Sequence, residues 1–331
     1  PRMFKELVKE RGVGWGVLLA LARPLALLVA GGLSACQPTV PGTDCPMFPA
    51  TSHWHASVKG LPVLANSSSI VATVGASAGL KADFGSGTWD GGPIGIPYVV
   101  VAGSQPKVRV TFDYADESDP GPYPIPANPP IEGGPNGHGD RHILIVDEGA
   151  CRLYELYDAH PTTTSAWTAG SGATWDLRSN ALRRAGWTSA DAAGLPILPG
   201  LVRYDEVAAG RVDHAIRMTV PVSRTAYVWP ARHQAGSTSS TNAPAMGQRF
   251  RLKASVRESD FPASVRPIIT ALKTYGAINA DNGSAWFLSG VPDPRWSNDD
   301  LATLRRIPGS SFEAVDASSL MVSSGSGEAS A

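Results

Sequence analysis

The sequence is short of charge, of cysteine and of known catalytic signatures, and each shortage narrows what the chain can be. Charged residues make up 17% of the 331 and the formal net charge is −1. A nucleic-acid surface needs a basic stripe that releases counterions, so this balance argues against such a partner. The one long apolar run, near the start, is interrupted by Arg23 and Pro24 well short of the ~20 residues that span a bilayer, and there is no second. There is no H-E-x-x-H, no Gly-rich phosphate loop, no G-x-S-x-G elbow and no paired C-x-x-C. No repeat of fixed period is present either.

What the chain does have is turn chemistry. It holds 35 Gly and 28 Pro, with 43% hydrophobic residues, a combination that reads as strands joined by long ordered loops around a sizeable core. Tyr98–Ala102 and Lys107–Phe112 read as one hairpin, Arg141–Asp147 and Cys151–Tyr157 as a second, and Arg211–Val220 with Thr225–Trp229 as a third. Phe250–Val256 and Ser284–Ser289 read as further strands, and Ser69–Gly75 as a short helix or strand. Between the first two hairpins, Asp113–Asp140 is crowded with proline and has no apolar periodicity, so it reads as a long ordered surface loop. Helices are expected over Leu201–Ala209, over Phe261–Tyr275 with Ser259 or Asp260 as N-cap, and over Asn298–Arg306 after an Ser297 cap. The fold class these elements predict is mainly β, an antiparallel β-sandwich or jelly-roll-like domain with a few peripheral helices.

Lys5, Lys9 and Arg11, the apolar run from Gly16 to Val29, and Leu33-Ser34-Ala35-Cys36 follow the order of an export signal. Together they resemble the signal and lipobox of bacterial lipoproteins. That resemblance implies cleavage before Cys36, lipidation of its thiol and export to the cell envelope, with Gln37 pointing to the outer membrane in a Gram-negative cell. Membrane attachment would then be through the lipid anchor alone. The domain plan is a signal over 1–36, a spacer over 37–46, one β-rich domain over 47–316 and a flexible Ser/Gly-rich tail over 317–331. With Cys36 lipidated, Cys45 and Cys151 remain as a disulfide pair in an oxidising compartment, or as two buried thiols.

Candidate chemistry lies at strand ends and in loops. The period of two sets His142 with Leu144 and Val146, and His214 with Ile216, Met218 and Val220, with Arg217 on the opposite face. Neutral imidazoles there are able to transfer protons or ligate a metal; no cofactor is expected, and a divalent metal stays open. Asp140, Glu155, Asp176 and Asp281 offer carboxyl groups, and Glu155 on an apolar face would have a raised pKa. Each of these six has a plainer reading as a packing, paired or turn residue.

Indoles in polar loops (Trp54, Trp89, Trp167, Trp175, Trp187 and Trp296) are either stacking platforms for sugar or core filling beneath the loops. Trp175 with Arg178 and Asn180 forms a sugar-binding assortment, and Arg217, Arg232 and His233 add polar or cationic groups for a ligand. The function these features favour is a carbohydrate-active protein, a glycoside hydrolase working through two carboxylates. A non-catalytic glycan-binding or adhesion lipoprotein is the alternative, and a structural envelope lipoprotein a third reading.

Overall fold

A computed structural model describes residues 37–163 and 165–330; the signal and lipobox through Cys36 lie outside these. The strands in chain order are β1 (Lys81–Ala82), β2 (Thr88–Trp89), β3 (Gly92–Pro93), β4 (Tyr98–Val101), β5 (Arg109–Phe112), β6 (Ile143–Asp147), β7 (Arg152–Tyr157) and β8 (His160–Thr163). They continue with β9 (Ala166–Ala169), β10 (Ser171–Asp176), β11 (Ile216–Val220), β12 (Arg249–Leu252), β13 (Ala277–Asn282), β14 (Phe287–Leu288) and β15 (Phe312–Val315). Four α-helices accompany them: α1 (Ser67–Val74), α2 (Tyr204–Ala208), α3 (Arg266–Thr274) and α4 (Asn298–Ala302).

The chain is mainly β. A six-stranded sheet runs β1-β14-β11-β13-β12-β15, a four-stranded sheet β10-β7-β6-β4 and a three-stranded sheet β5-β9-β8, with β2 and β3 as a separate ribbon. Antiparallel pairings predominate, but β1–β14, β11–β13, β4–β6 and β5–β9 are parallel.

The hydrophobic alternation sorts the core. On β11, Ile216, Met218 and Val220 pack with Leu272 of α3 and Leu304 in one cluster. Leu144, Val146 and Leu153 of the four-stranded sheet share a second cluster with Ile278 and Ala280 of the six-stranded sheet. The opposite faces of β6 and β7, through Ile143, Ile145 and Leu156, meet Val110 and Trp167 of the three-stranded sheet in a third. Strand β6 is therefore buried on both faces, which is why its sequence is a nearly unbroken apolar run.

The β6–β7 hairpin forms as expected, with Asp147 Oδ1 accepting the Ala150 N–H at 3.1 Å in its turn. The other two expected hairpins do not form. β4 pairs with β6 while β5 pairs with β9, and Val108, leading into β5, bridges instead to Tyr123 of the proline-rich loop. Both edges of β11 are taken by β13 and β14, so residues 225–229 find no free edge and make only an isolated bridge, Tyr227 to Met246.

Helix α3 starts later than Phe261 because Pro262 sits in extended backbone with ψ 146°, and a 3-10 turn precedes Arg266. Helix α4 does carry its Ser297 cap, whose side chain accepts the Asp300 N–H, with Asp299 and Asp300 at the positive end. The Ser/Gly-rich stretch from Ala317 runs back over the body: Ser52 bridges Glu328, Ala181 bridges Ser326, and the Trp229 indole donates to Ser326 O at 2.8 Å.

Cys45 and Cys151 form a disulfide across 106 residues of sequence, tying the segment after Gln37 to the start of β7. Closing so long a loop stabilises by about 2–5 kcal/mol, chiefly through the unfolded chain. The Cys45→Ser/Cys151→Ser variant should lose that amount in denaturant unfolding; an unchanged midpoint would show that the link is idle.

Candidate functional site

Arg217 projects from β11 on the side away from Ile216 and Met218, into the space between the two larger sheets, where it is 4% exposed. A buried guanidinium needs hydrogen-bond acceptors, and a counter-charge offsets the cost of its desolvation. Asp191, 1% exposed, supplies both: Nε and Nη2 of Arg217 donate to its two carboxylate oxygens at 2.8 Å each. Nη1 donates to Ser289 Oγ at 2.7 Å, and Nη2 also reaches Asp281 Oδ2 at 3.4 Å. Asp191 comes from a loop of small residues, whose turn is held by Ser189 Oγ bonding to Asp191 and Leu195 carbonyls.

Over this pair opens a cleft of about 360 Å³. Its walls include Asp140, Tyr157 at the end of β7, Ser171 at the start of β10, Asp191, His233 and Asp281 near the end of β13. Asp281 is the titrating member. Burial and then the charge of Asp191 push its carboxyl up to about 7, against the pull of Arg217. Asp140 stands at the rim, exposed, and owes its position to its neighbour. Arg141 adopts φ 48°, a left-handed conformation that turns successive side chains apart. Its buried guanidinium then donates to the carbonyls of Pro135, Gly137 and Ala159 at 3.0, 2.9 and 3.1 Å, wrapping the loop before Asp140.

Beneath Asp140 lies His142. Its Nδ1 bonds Glu132 Oε2 at 2.5 Å and its Nε2 bonds Ala190 O at 3.0 Å. Burial lowers the imidazole pKa, but the charge and hydrogen bond of Glu132 outweigh it and hold it up at about 9. Glu132, Asp140 and His142 bring ligand atoms within 4.8 Å of one another. Both imidazole nitrogens nevertheless face acceptors, so the ring donates two protons and offers no lone pair. That donor set does not fit a divalent cation.

The remaining sequence candidates divide sharply. Glu155 is fully buried and does not line the cleft. Its carboxylate accepts the Ile197 and Leu198 N–H groups at 2.9–3.0 Å, while burial pushes its pKa up to about 8. Its place is a structural one, anchoring the loop that carries Asp191. His214 is buried in a separate group, bonded to Ala215 O at 2.8 Å and Glu206 at 3.2 Å. Asp176 is exposed on the outer part of β10 and caps Arg178 N at 2.9 Å. The Arg178 side chain bonds Ala150 O, and Asn180 bonds Thr51.

Arg232 is spent on the carbonyls of Arg183 and Ser324, whereas His233 faces the cleft with Nδ1 against Ala192 O at 2.8 Å and Nε2 3.7 Å from Glu117. Trp54, Trp167, Trp175 and Trp296 are core residues, between 0% and 8% exposed. Trp89 stands 79% exposed on the β2–β3 ribbon, and Trp187 is half-buried.

Asp191, Glu132, Glu117 and Tyr157 were not among the sequence candidates. Asp191 left one trace, as the lone charge within the small and apolar run from Ala190 to Val202. Tyr157 ends the alternating CRLYELY strand, while Glu132 and Glu117 carry no periodic signal. Comparison with family models, with curated proteins and with solved structures gives no match for this chain, so the geometry alone bears on function.

Two outcomes follow for stability. Arg217→Met strands Asp191 as a buried charge and should cost about 3–5 kcal/mol, part of it recovered in Arg217→Met/Asp191→Leu; equal losses in the single and double variants in urea unfolding would contradict this pairing. His142, with its raised pKa, contributes stability that is complete below pH 6.5 and lost as pH rises through about 9. Thermal unfolding across that window should show the decline in the native chain and a flatter profile for His142→Gln.

Proposed function

We propose that the protein is a carbohydrate-active hydrolase that cleaves glycosidic bonds through Asp140 and Asp281. The observation that carries this reading is that these two carboxyl groups line one open cleft, one of them pushed up to about 7. Glycoside hydrolysis asks for a carboxyl that is protonated near neutrality and a second that is not held in an ion pair. Asp281 fills the first role: it donates its proton to the glycosidic oxygen as the C–O bond breaks. Asp140, free at the rim, accepts the proton of the attacking water or attacks carbon itself. Asp191 is unsuited to either task, because Arg217 occupies both its oxygens. Tyr157 gives the cleft a hydroxyl group that suits a polyhydroxylated ligand.

The lipoprotein reading accompanies this one: an exported chain, lipid-anchored at Cys36 to the envelope. The Cys45–Cys151 disulfide supports it, since such bonds persist in oxidising compartments. In fold terms, the core shared by the four- and six-stranded sheets supports a sandwich-like packing of these layers. One observation favours the second reading, a glycan-binding protein without turnover. Trp89 is exposed beside a hollow of about 520 Å³ that includes Asp90, His138 and Arg305, a place where a sugar ring is able to stack.

Reducing-end assays over a glycan panel separate the two. Asp281→Asn and Asp140→Asn should each lower kcat by at least ~10²-fold, the usual scale for losing a positioned acid or base, with binding retained. Turnover that survives both substitutions would refute the carboxylate pair, and binding with no turnover in the native protein would select the Trp89 reading.

A further inference from the structure

Next to the cleft lies a second hollow of about 330 Å³, whose lining includes three arginines, Arg152, Arg183 and Arg184, two carboxylates, Asp119 and Asp176, and the Trp187 indole. The same three chain segments build both. Glu117 faces the cleft and Asp119 the hollow; Ser171 the cleft and Thr174 the hollow; Thr188 the cleft and Trp187 the hollow. From Ser171 to Thr174 the edge strand β10 advances roughly 10 Å at its usual rise. The ridge between them is rigid: Arg183 donates to Asp119 at 2.6 Å, to Glu117 O at 2.7 Å and to Thr188 O at 2.7 Å.

Those bonds use up the Arg183 charge, and the Asp176 carboxyl caps Arg178 N. Arg152 and Arg184 are different. Among the described residues neither guanidinium has a hydrogen bond or an ion pair, and the Trp187 ring centre lies 5.6 Å from Arg183 and 5.8 Å from Arg184. Two uncommitted guanidinium groups beside a half-exposed indole make a specific combination. The planar fork matches a carboxylate, and the indole offers a face to the C–H side of a sugar.

We infer that this hollow is a subsite for an acidic sugar, and that the cleft acts on a polysaccharide bearing uronate units. The anionic ring sits over Trp187 with its carboxylate between Arg152 and Arg184, while the next part of the chain crosses the ridge to Asp140 and Asp281. This rests on the glycan reading of the cleft.

Calorimetric titration of the full chain with oligogalacturonides, with neutral galacto-oligosaccharides and with a sulfated oligosaccharide of similar length tests it. The uronate ligand should bind at least ~10-fold tighter than the neutral one, the interaction weakening with salt as exposed ion pairs do. Arg152→Gln/Arg184→Gln should remove that preference and leave neutral binding unchanged, and Asp281→Asn should keep it. Equal affinity for acidic and neutral ligands, or a preference that survives the double variant, overturns the subsite. Tightest binding of the sulfated ligand overturns the uronate assignment. Acid-selective binding that depends on both arginines, with no hydrolysis by the native chain, upholds the subsite and sinks the hydrolase reading; hydrolysis indifferent to ligand charge does the reverse.

Discussion

The buried ion pair between Arg217 and Asp191 is the contact on which the site depends. It joins a strand of the six-stranded sheet to a loop with no regular structure, and both partners are almost fully removed from water. Removing one partner would leave the other as an uncompensated buried charge, so the two short bonds hold the loop where Asp191 meets Arg217. That loop supplies one wall of the cleft. Glu155 fixes the next turn of the same loop by accepting the N–H groups of Ile197 and Leu198, which links the wall to the four-stranded sheet as well.

The pair also decides which carboxyl holds its proton near neutrality. Two acids compete for Arg217, and Asp191 takes both short contacts at 2.8 Å. Asp281 receives only the 3.4 Å contact; burial first, and then the negative charge of its rival, hold its proton to near neutral pH. On the other side of the cleft, Glu132 and His142 form a closed ion pair beneath Asp140. Around the cleft, Asp191 and Glu132 are thus each bound to a buried cation, while Asp281 has only a long contact to Arg217 and Asp140 stands exposed at the rim.

Much of the scaffold was legible from residue patterns. The alternation in RHILIVD and CRLYELY identified the central hairpin and the faces of its residues, and Ser297 with two aspartates marked the start of α4. The pairing of Cys45 with Cys151 was legible as one of two alternatives. Period two tells which face a side chain takes but not which strand lies alongside, so β4 and β5 were read as partners when each pairs in parallel elsewhere. Asp140, Asp281 and His233 were named among the candidates and do meet in the cleft; Glu155 and His214 were named for their apolar faces and are packed away from it. Asp191 and Glu132 sit in irregular loops, where no periodicity reports burial, and the indoles of most Trp residues fill the core because long loops need something large beneath them.

The central claim is that burial, together with the charge of an Asp191 that holds Arg217 to itself, leaves Asp281 protonated near neutrality. NMR titration of the Asp281 carboxyl carbon measures this directly. The expected midpoint is about 7 in the native protein, falling in Asp191→Asn, where the repulsion is gone and Arg217 turns to Asp281. A midpoint in the ordinary aspartate range near 4, unmoved by that substitution, would contradict the account.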